Sequence, residues 1–173
     1  MPDTLTAAEP LATDPGLDTP SCLGLYRRLS AGVTVLTSRL DGAPVGMTAS
    51  AVTSLSLRPA LLLACVGSGS RTLAGIRRHR TFAVHLLHEE QVGWAERFAR
   101  PGPGGFGDLR VREVLGTPVL ADALAWTVCL LVDVREYGDH HTVVGQVAAA
   151  HSRRGRPLLW HDSAYWGLRP AGQ

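Results

Sequence analysis

The stretch Gly46 to Thr72, GMTASAVTSLSLRPALLLACVGSGSRT, concentrates the side chains that could hold a small polar ligand. Thr48, Ala49, Ser50, Ala51, Thr53, Ser54 and Ser56 are small or carry hydroxyls. Small residues let a flat molecule approach the backbone, and hydroxyls and free N–H groups can then bond its polar edge. An apolar run, Leu61 to Val66, leads to a Gly/Ser loop, Gly67 to Ser70, and then to a helical pattern. The junction at Ser70, Arg71 and Thr72 is a candidate anion site, because the first N–H groups of a helix have no internal partner. A flat polar ring at one end and a phosphate at the other is the outline of a flavin nucleotide. The same hydroxyl-rich strand is also what plain barrel packing produces, and composition does not separate the two.

Other groups with chemical potential are fewer. Gly138-Asp139-His140 forms a turn pattern between two long apolar runs, which places an imidazole at a rim where its charge can change near neutral pH. An ordinary hairpin turn gives the same pattern. Seven histidines raise a metal hypothesis, but no Cys/His or H-E-x-x-H spacing supports one, so no metal is expected. His140 and His141 are adjacent and point to opposite faces of an extended strand. There is no G-x-S-x-G nucleophile motif. All 17 basic residues are arginine, which excludes a lysine Schiff base.

These groups need elements to position them. Leu23 to Ser30 reads as a short helix with Leu25, Tyr26 and Leu29 inward, ended by Gly32. Val33 to Leu40 and Val45 to Ser50 read as antiparallel strands joined at Asp41-Gly42, a hairpin signal. Strands are also expected at Leu61 to Val66, Phe82 to Leu87, Trp126 to Glu136, His141 to His151, Leu158 to His161 and Tyr165 to Leu168. Thr72 to His79 fits a helix with Leu73 and Ile76 inward and arginines near its C-terminal end, which suit the helix dipole. Glu89 to Arg100 fits another, with Val92, Ala95 and Phe98 on one side. Between that helix and the long strands lies the loop PGPGGFG, Pro101 to Gly107, whose Phe106 either covers a ligand or plugs the loop onto the core.

Six to eight strands that neighbour one another, without βαβ alternation, argue for a mainly β antiparallel barrel with attached helices. No dinucleotide-binding or P-loop glycine motif is present. The chain of 173 residues is long enough for one domain with a real core. Residues 1–20, with four prolines and no apolar period, read as a disordered tail before a single domain at 21–173. That tail carries four carboxylates and no arginine, so the net charge of +2 becomes +6 for the remainder. This modest excess suits an anionic small ligand and is too scattered for nucleic acid. No apolar run reaches the length of a membrane span. Cys22, Cys65 and Cys129 are odd in number and lack C-x-x-C spacing; Cys65 and Cys129 read as buried thiols, which favours a reducing cytoplasm. No signal peptide is indicated.

The order of motifs from about Leu29 to Leu168 resembles the flavin reductase family, the small partner enzymes of two-component flavin-dependent monooxygenases. The matching pieces are AGVTVLT from Ala31, GMTASAVTSLSLRP from Gly46, Ser70-Arg71-Thr72, Thr81-Phe82-Ala83-Val84, Gly138-Asp139-His140, Pro157-Leu158-Leu159-Trp160 and Tyr165. The resemblance implies a Greek-key, FMN-binding split β-barrel that forms a homodimer, with FMN or FAD at the dimer interface. It implies that the flavin ring lies on the Thr48 to Ser54 backbone, with phosphate contacts at Ser70, Arg71 and Thr72. NADH or NADPH would bind on the exposed flavin face, with Asp139 and His140 beside it. It implies an NAD(P)H:flavin oxidoreductase that supplies reduced flavin to a partner monooxygenase by diffusion. A flavin-retaining oxidase or redox enzyme, and a non-catalytic flavin-binding or sensor protein, are the alternatives. The sequence departs from the family pattern at Val52 (commonly Phe), Ala60 (commonly Pro), His85 (frequently Asn) and Trp160 (usually Tyr or Phe). Val52 and His85 are expected to touch the flavin pocket.

Overall fold

A computed structural model describes residues 19–100, 102 and 105–172. In chain order the elements are α1 (Thr19–Tyr26), β1 (Ala31–Gly32), β2 (Thr34–Leu40), β3 (Ala43–Ala49), β4 (Val52–Leu57), β5 (Ala60–Gly67), α2 (Arg71–His79), β6 (Thr81–Leu86) and α3 (Val92–Ala99). They continue as β7 (Val111–Val114), β8 (Thr117–Leu120), β9 (Ala125–Tyr137), β10 (His140–Ser152), β11 (Leu158–His161) and β12 (Ala164–Gly167).

Seven strands form one antiparallel sheet in the order β3-β2-β6-β9-β10-β5-β4. Its two edge strands, β3 and β4, are consecutive in the chain and separated only by Ser50 and Ala51. Laid flat, six gaps of about 4.8 Å would hold those edges about 29 Å apart. A two-residue link spans roughly 10 Å. The sheet therefore curls until its edges meet, and the Ser50–Ala51 link is the seam. The Cys65 amide donates to Ala51 O (2.8 Å) and the Val52 amide to Ser50 O (3.1 Å). No ladder joins β3 directly to β4 among the described residues. This is the expected antiparallel split barrel. Its interior is filled by Leu36, Ala64, Val66, Phe82, Val84 and Val143, with Leu73 and Ile76 of α2 packed against them.

Local sequence explains the parts nearest the seam. Asp41 and Gly42 both take positive φ (52° and 80°), the two-residue turn that matches strand twist, and β2 and β3 pair on from Leu40 and Ala43. Ser70 caps α2, its hydroxyl accepting from the Thr72 and Leu73 amides at 3.1 and 3.4 Å. Arg77, Arg78 and His79 occupy the last turn, where positive charge suits the dipole. Gly75 lets α2 lie close on β2, since a Cβ there would sit 2.9 Å from Arg39 O.

Several expectations are corrected. The first helix starts at Thr19 and ends at Tyr26, so Leu29 lies beyond it, and Leu25, Tyr26 and Leu29 are each at least 60% exposed instead of inward. The helix has no buried residue, because its apolar side borders an open recess with Ser50, Ala51 and Trp160 instead of packing closely. Residues 1–18 of the expected tail lie outside the described residues, while Thr19 and Pro20 open α1. Twelve strands are present among the described residues. The β7–β8 hairpin was not legible because its turn uses Leu115 at φ 50°, a residue that rarely adopts left-handed backbone. Cys129 is buried and its thiol is pushed up to about 11 by desolvation, but Cys65 points outward from β5 and is only half-buried.

Candidate functional site

The seam places the small residues at an opening. Ser50 lies in a cleft with Val33, Thr48, Ala49, Trp160 and Tyr165. The two aromatic rings pack edge to face with centroids 4.9 Å apart. A wider apolar recess shares Ser50 and Trp160 with this cleft and adds Ala51, Leu23, Tyr26 and Leu29. The hydroxyls are less free than the sequence suggests. Thr48 Oγ1 donates to Ala95 O (2.6 Å), tying β3 to α3, and Ala49 is buried with its carbonyl accepting from Thr34 (2.6 Å). Thr53 and Ser54 are exposed and line a separate cleft with Val52, Leu62, Leu86 and Pro157, which meets the first only at Val33. The seven-residue stretch is thus divided between two openings, because the chain crosses the seam in the middle of it.

A further cleft, of about 220 Å³, lies one step back along β3. Gly46 and Met47 form its floor, Gly69, Ser70, Arg71 and Thr72 one wall, and Phe98, Ala99 and Arg100 the other. Ser70 is committed to capping and also donates to Met47 Sδ (3.1 Å). Arg71 and Arg100 are exposed and meet no carboxylate among the described residues. Thr72 is only 2% exposed and lines this cleft, its amide donating to Ser70 Oγ. The guanidinium of Arg71, unpaired among the described residues, gives this wall the donor of an anion site.

The β9–β10 hairpin completes the rim. Gly138 takes φ 62°, and the strands pair from Tyr137 and His140. His140 also pairs with Gly67 of β5, just before the Gly/Ser loop, with Nε2 3.9 Å from where a Gly67 Cβ would be. Asp139 Oδ1 lies 2.7 Å from His140 Nδ1, so the carboxylate accepts from that nitrogen and leaves Nε2 for a ligand. The hydrogen bond from His140, and then its charge, hold the Asp139 carboxyl below its usual range. As expected, the neighbouring histidines diverge: His140 is exposed and His141 is buried.

Comparison with known proteins gives this geometry a context. Residues 26–169 match the model of the flavin reductase like domain. The chain belongs to the flavin reductase family. Among flavin reductases and related oxidoreductases, the reductase component of 4-nitrophenol 4-monooxygenase/4-nitrocatechol 2-monooxygenase from Rhodococcus opacus is 38% identical over 154 residues, covering 89% of this chain and 83% of that one. The NADH:FAD oxidoreductase SgcE6 of Streptomyces globisporus, solved with NAD and FAD fragments, superposes with a TM-score of 0.83 at 29% identity, covering 90% and 96% of the two chains. BorF, the flavin reductase component of a bacterial two-component tryptophan halogenase, does so with a TM-score of 0.80 at 32% identity, covering 88% and 99%. This family member is accordingly an oxidoreductase with the family's fold.

Two sequence readings of the site change. Phe106 lines neither cleft: its ring packs at 88° against Phe98, centroids 5.1 Å apart, so it plugs the loop from behind the anion-cleft wall. Of that loop, Pro101, Pro103 and Gly104 lie outside the described residues. His85 does not reach a cleft. It is fully buried where β2, β6 and β8 meet, with Nδ1 2.8 Å from Val35 O and Nε2 accepting from the Leu120 amide at 3.0 Å. Two groups were missed. Arg100 left no sequence signal beyond its charge, and Tyr165 was legible only as a strand residue until its contact with Trp160 was seen.

Proposed function

We propose that the protein is an NAD(P)H:flavin oxidoreductase that binds FMN or FAD along β3 and passes reduced flavin to a partner monooxygenase or related oxygenase. The observation that carries this reading is the end-to-end placement of two clefts on one strand. Gly46 and Met47 floor the anion cleft, and Thr48 to Ser50 line the ring-sized cleft beside Trp160. Four residue steps along a strand cover about 13 Å, so one elongated ligand can occupy both. Arg71 and the Thr72 hydroxyl would hold its phosphate, and the Ser50 and Ala51 backbone would meet its ring edge. Asp139 and His140 on the hairpin would receive the nicotinamide. Hydride transfer from nicotinamide C4 to flavin N5 is chemistry the bound molecules bring, and the chain's share is to align them and exclude water. No side-chain nucleophile is needed for that. NADH and NADPH oxidation with FMN and with FAD, followed by absorbance, tests the reading. No turnover with any of the four pairs would overturn it. No helix among the described residues is long and apolar enough to cross a membrane, which accords with a cytoplasmic role.

Arg71→Ala is expected to weaken FMN binding by about tenfold or more, since a charge-assisted bond to phosphate contributes roughly 1.5–3 kcal/mol. Riboflavin, lacking the phosphate, should be affected much less. Titration of flavin fluorescence measures both. Equal losses would show that Arg71 does not touch phosphate.

The protein is also proposed to be a homodimer. Leu130 and Val132 on β9, Leu55 and Leu57 on β4, and Leu25 and Tyr26 on α1 are exposed, Leu57 to 88%. A second copy is the occupant best suited to so many uncovered apolar side chains, and a stable interface buries on the order of 1,600 Å² in total. Light scattering should give twice the chain mass of 18.4 kDa. A single 18.4 kDa species at micromolar concentration would reject the dimer.

A further inference from the structure

The anion loop and the hairpin that bears His140 are fastened to each other by a buried side chain. Ser68, in the loop between β5 and α2, donates its amide to Asp139 O (2.9 Å) and lies with its hydroxyl 2.9 Å from the same carbonyl. A serine hydroxyl has one proton, and this geometry commits it to Asp139 O. The contact of 3.2 Å between Ser68 Oγ and His141 Nδ1 therefore has the imidazole as donor. His141 is 4% exposed, and its Nε2 faces the Glu136 carboxylate at 3.8 Å. A chain of contacts thus runs from Glu136 through His141 and Ser68 to Asp139. It closes on the residue that orients His140, and Ser68 stands two positions before the Ser70 cap. Ser70 is itself held by its amide bond to Gly67 O (3.0 Å).

We propose that His141 is a positioning residue that sets the anion loop against the His140 hairpin, so that phosphate grip and nicotinamide handling both depend on one buried imidazole. The proposal rests on the flavin reductase reading above. His141 touches neither ligand. Its removal frees Ser68 Oγ from one partner and opens space beneath the turn, and the Ser68 to Ser70 backbone gains freedom that Arg71 and Thr72 inherit.

The test compares wild type, His141→Ala, His141→Asn, Ser68→Ala and the His141→Ala/Ser68→Ala double variant. FMN and riboflavin dissociation constants and the KM for NADH are measured for each. His141→Ala should raise the FMN constant five- to tenfold and the riboflavin constant less than twofold, with a parallel rise in the KM for NADH. The double variant should lose less than the sum of the two single losses, because the Ser68–His141 contact is common to both, while Ser68→Ala also removes the hydroxyl bond to Asp139 O. Asparagine, which can donate from nearly the same place, should recover most of the loss. Equal weakening of FMN and riboflavin, additive effects in the double variant, or wild-type constants throughout would overturn the proposal. If His141→Ala does not fold, Ser68→Ala and His141→Asn still report the FMN-to-riboflavin ratio. Wild-type protein that neither binds FMN nor oxidises NADH would defeat the flavin reductase reading and this one with it. Normal wild-type turnover with unresponsive variants would defeat this one alone.

Discussion

Replacing His140 by alanine is expected to lower kcat/KM for NADH by roughly five- to 150-fold while leaving flavin affinity nearly unchanged, because one lost polar contact is worth about 1–3 kcal/mol. The selectivity follows from position. His140 stands on the hairpin rim and is exposed, whereas the residues proposed to hold flavin line clefts along β3 and the start of α2. Asp139 occupies Nδ1 and so aims Nε2, which can donate to a carboxamide or phosphate oxygen when it carries a proton. Removing the ring leaves the hairpin intact, since the strands continue to pair through Tyr137 and His140 backbone. Stopped-flow reduction of the protein–flavin complex separates a weaker nicotinamide encounter from slower hydride transfer. Wild-type reduction kinetics, or joint loss of flavin and NADH, would return His140 to the role of a turn residue.

What the sequence disclosed, and what it withheld, divides along the range of the interactions. Asp41-Gly42 announces a turn because it acts within two residues, and the turn is as expected. Ser70 reads in the sequence as an anion contact, and its hydroxyl caps α2 instead. Leu73 and Ile76 announce a buried helix face through their spacing, and both are buried. The hydroxyl run from Thr48 to Ser54 was legible as a composition, but not as two openings. That division depends on where a seven-stranded sheet closes, which no local pattern records. The Trp160–Tyr165 pair lies across the short β11–β12 hairpin, whereas the His141–Ser68 contact joins residues 73 apart, which only the fold brings together. Leu25 and Tyr26 stand four and three residues before Leu29, the spacing of one helix face, which is why burial was expected. Their burial depends on how closely α1 is covered, and among the described residues it borders only an open recess with Ala51 and Trp160.

His85 is the buried group whose placement was misjudged, and it gives the largest expected effect on stability. Its Nε2 accepts the Leu120 amide, so that nitrogen must stay unprotonated, and burial holds the imidazole down to about 4 against an ordinary value of 6.5. Hydrogen bonding to Val35 O opposes this only in part. Below pH 6.5 the unfolded chain takes up a proton here that the native chain refuses. The unfolded state then binds more protons, so stability falls as pH falls. The contribution is fully present above about pH 6.5 and drains away down to about pH 4, by roughly 3 kcal/mol over that interval. Glu89, Asp108, Asp122 and Asp139, whose carboxyls are held low by arginine or histidine partners, lose their contributions only as pH falls below their unfolded values near 4. The window between pH 6.5 and 4.5 therefore isolates the histidine. Urea unfolding of wild type and His85→Asn at a series of pH values and one fixed protein concentration measures it. The asparagine variant, whatever its stability at neutral pH, should lose most of the slope across that window, because its side chain does not titrate. Parallel curves for the two proteins would mean that His85 keeps its proton in the native state, and that the Leu120 amide finds its acceptor elsewhere.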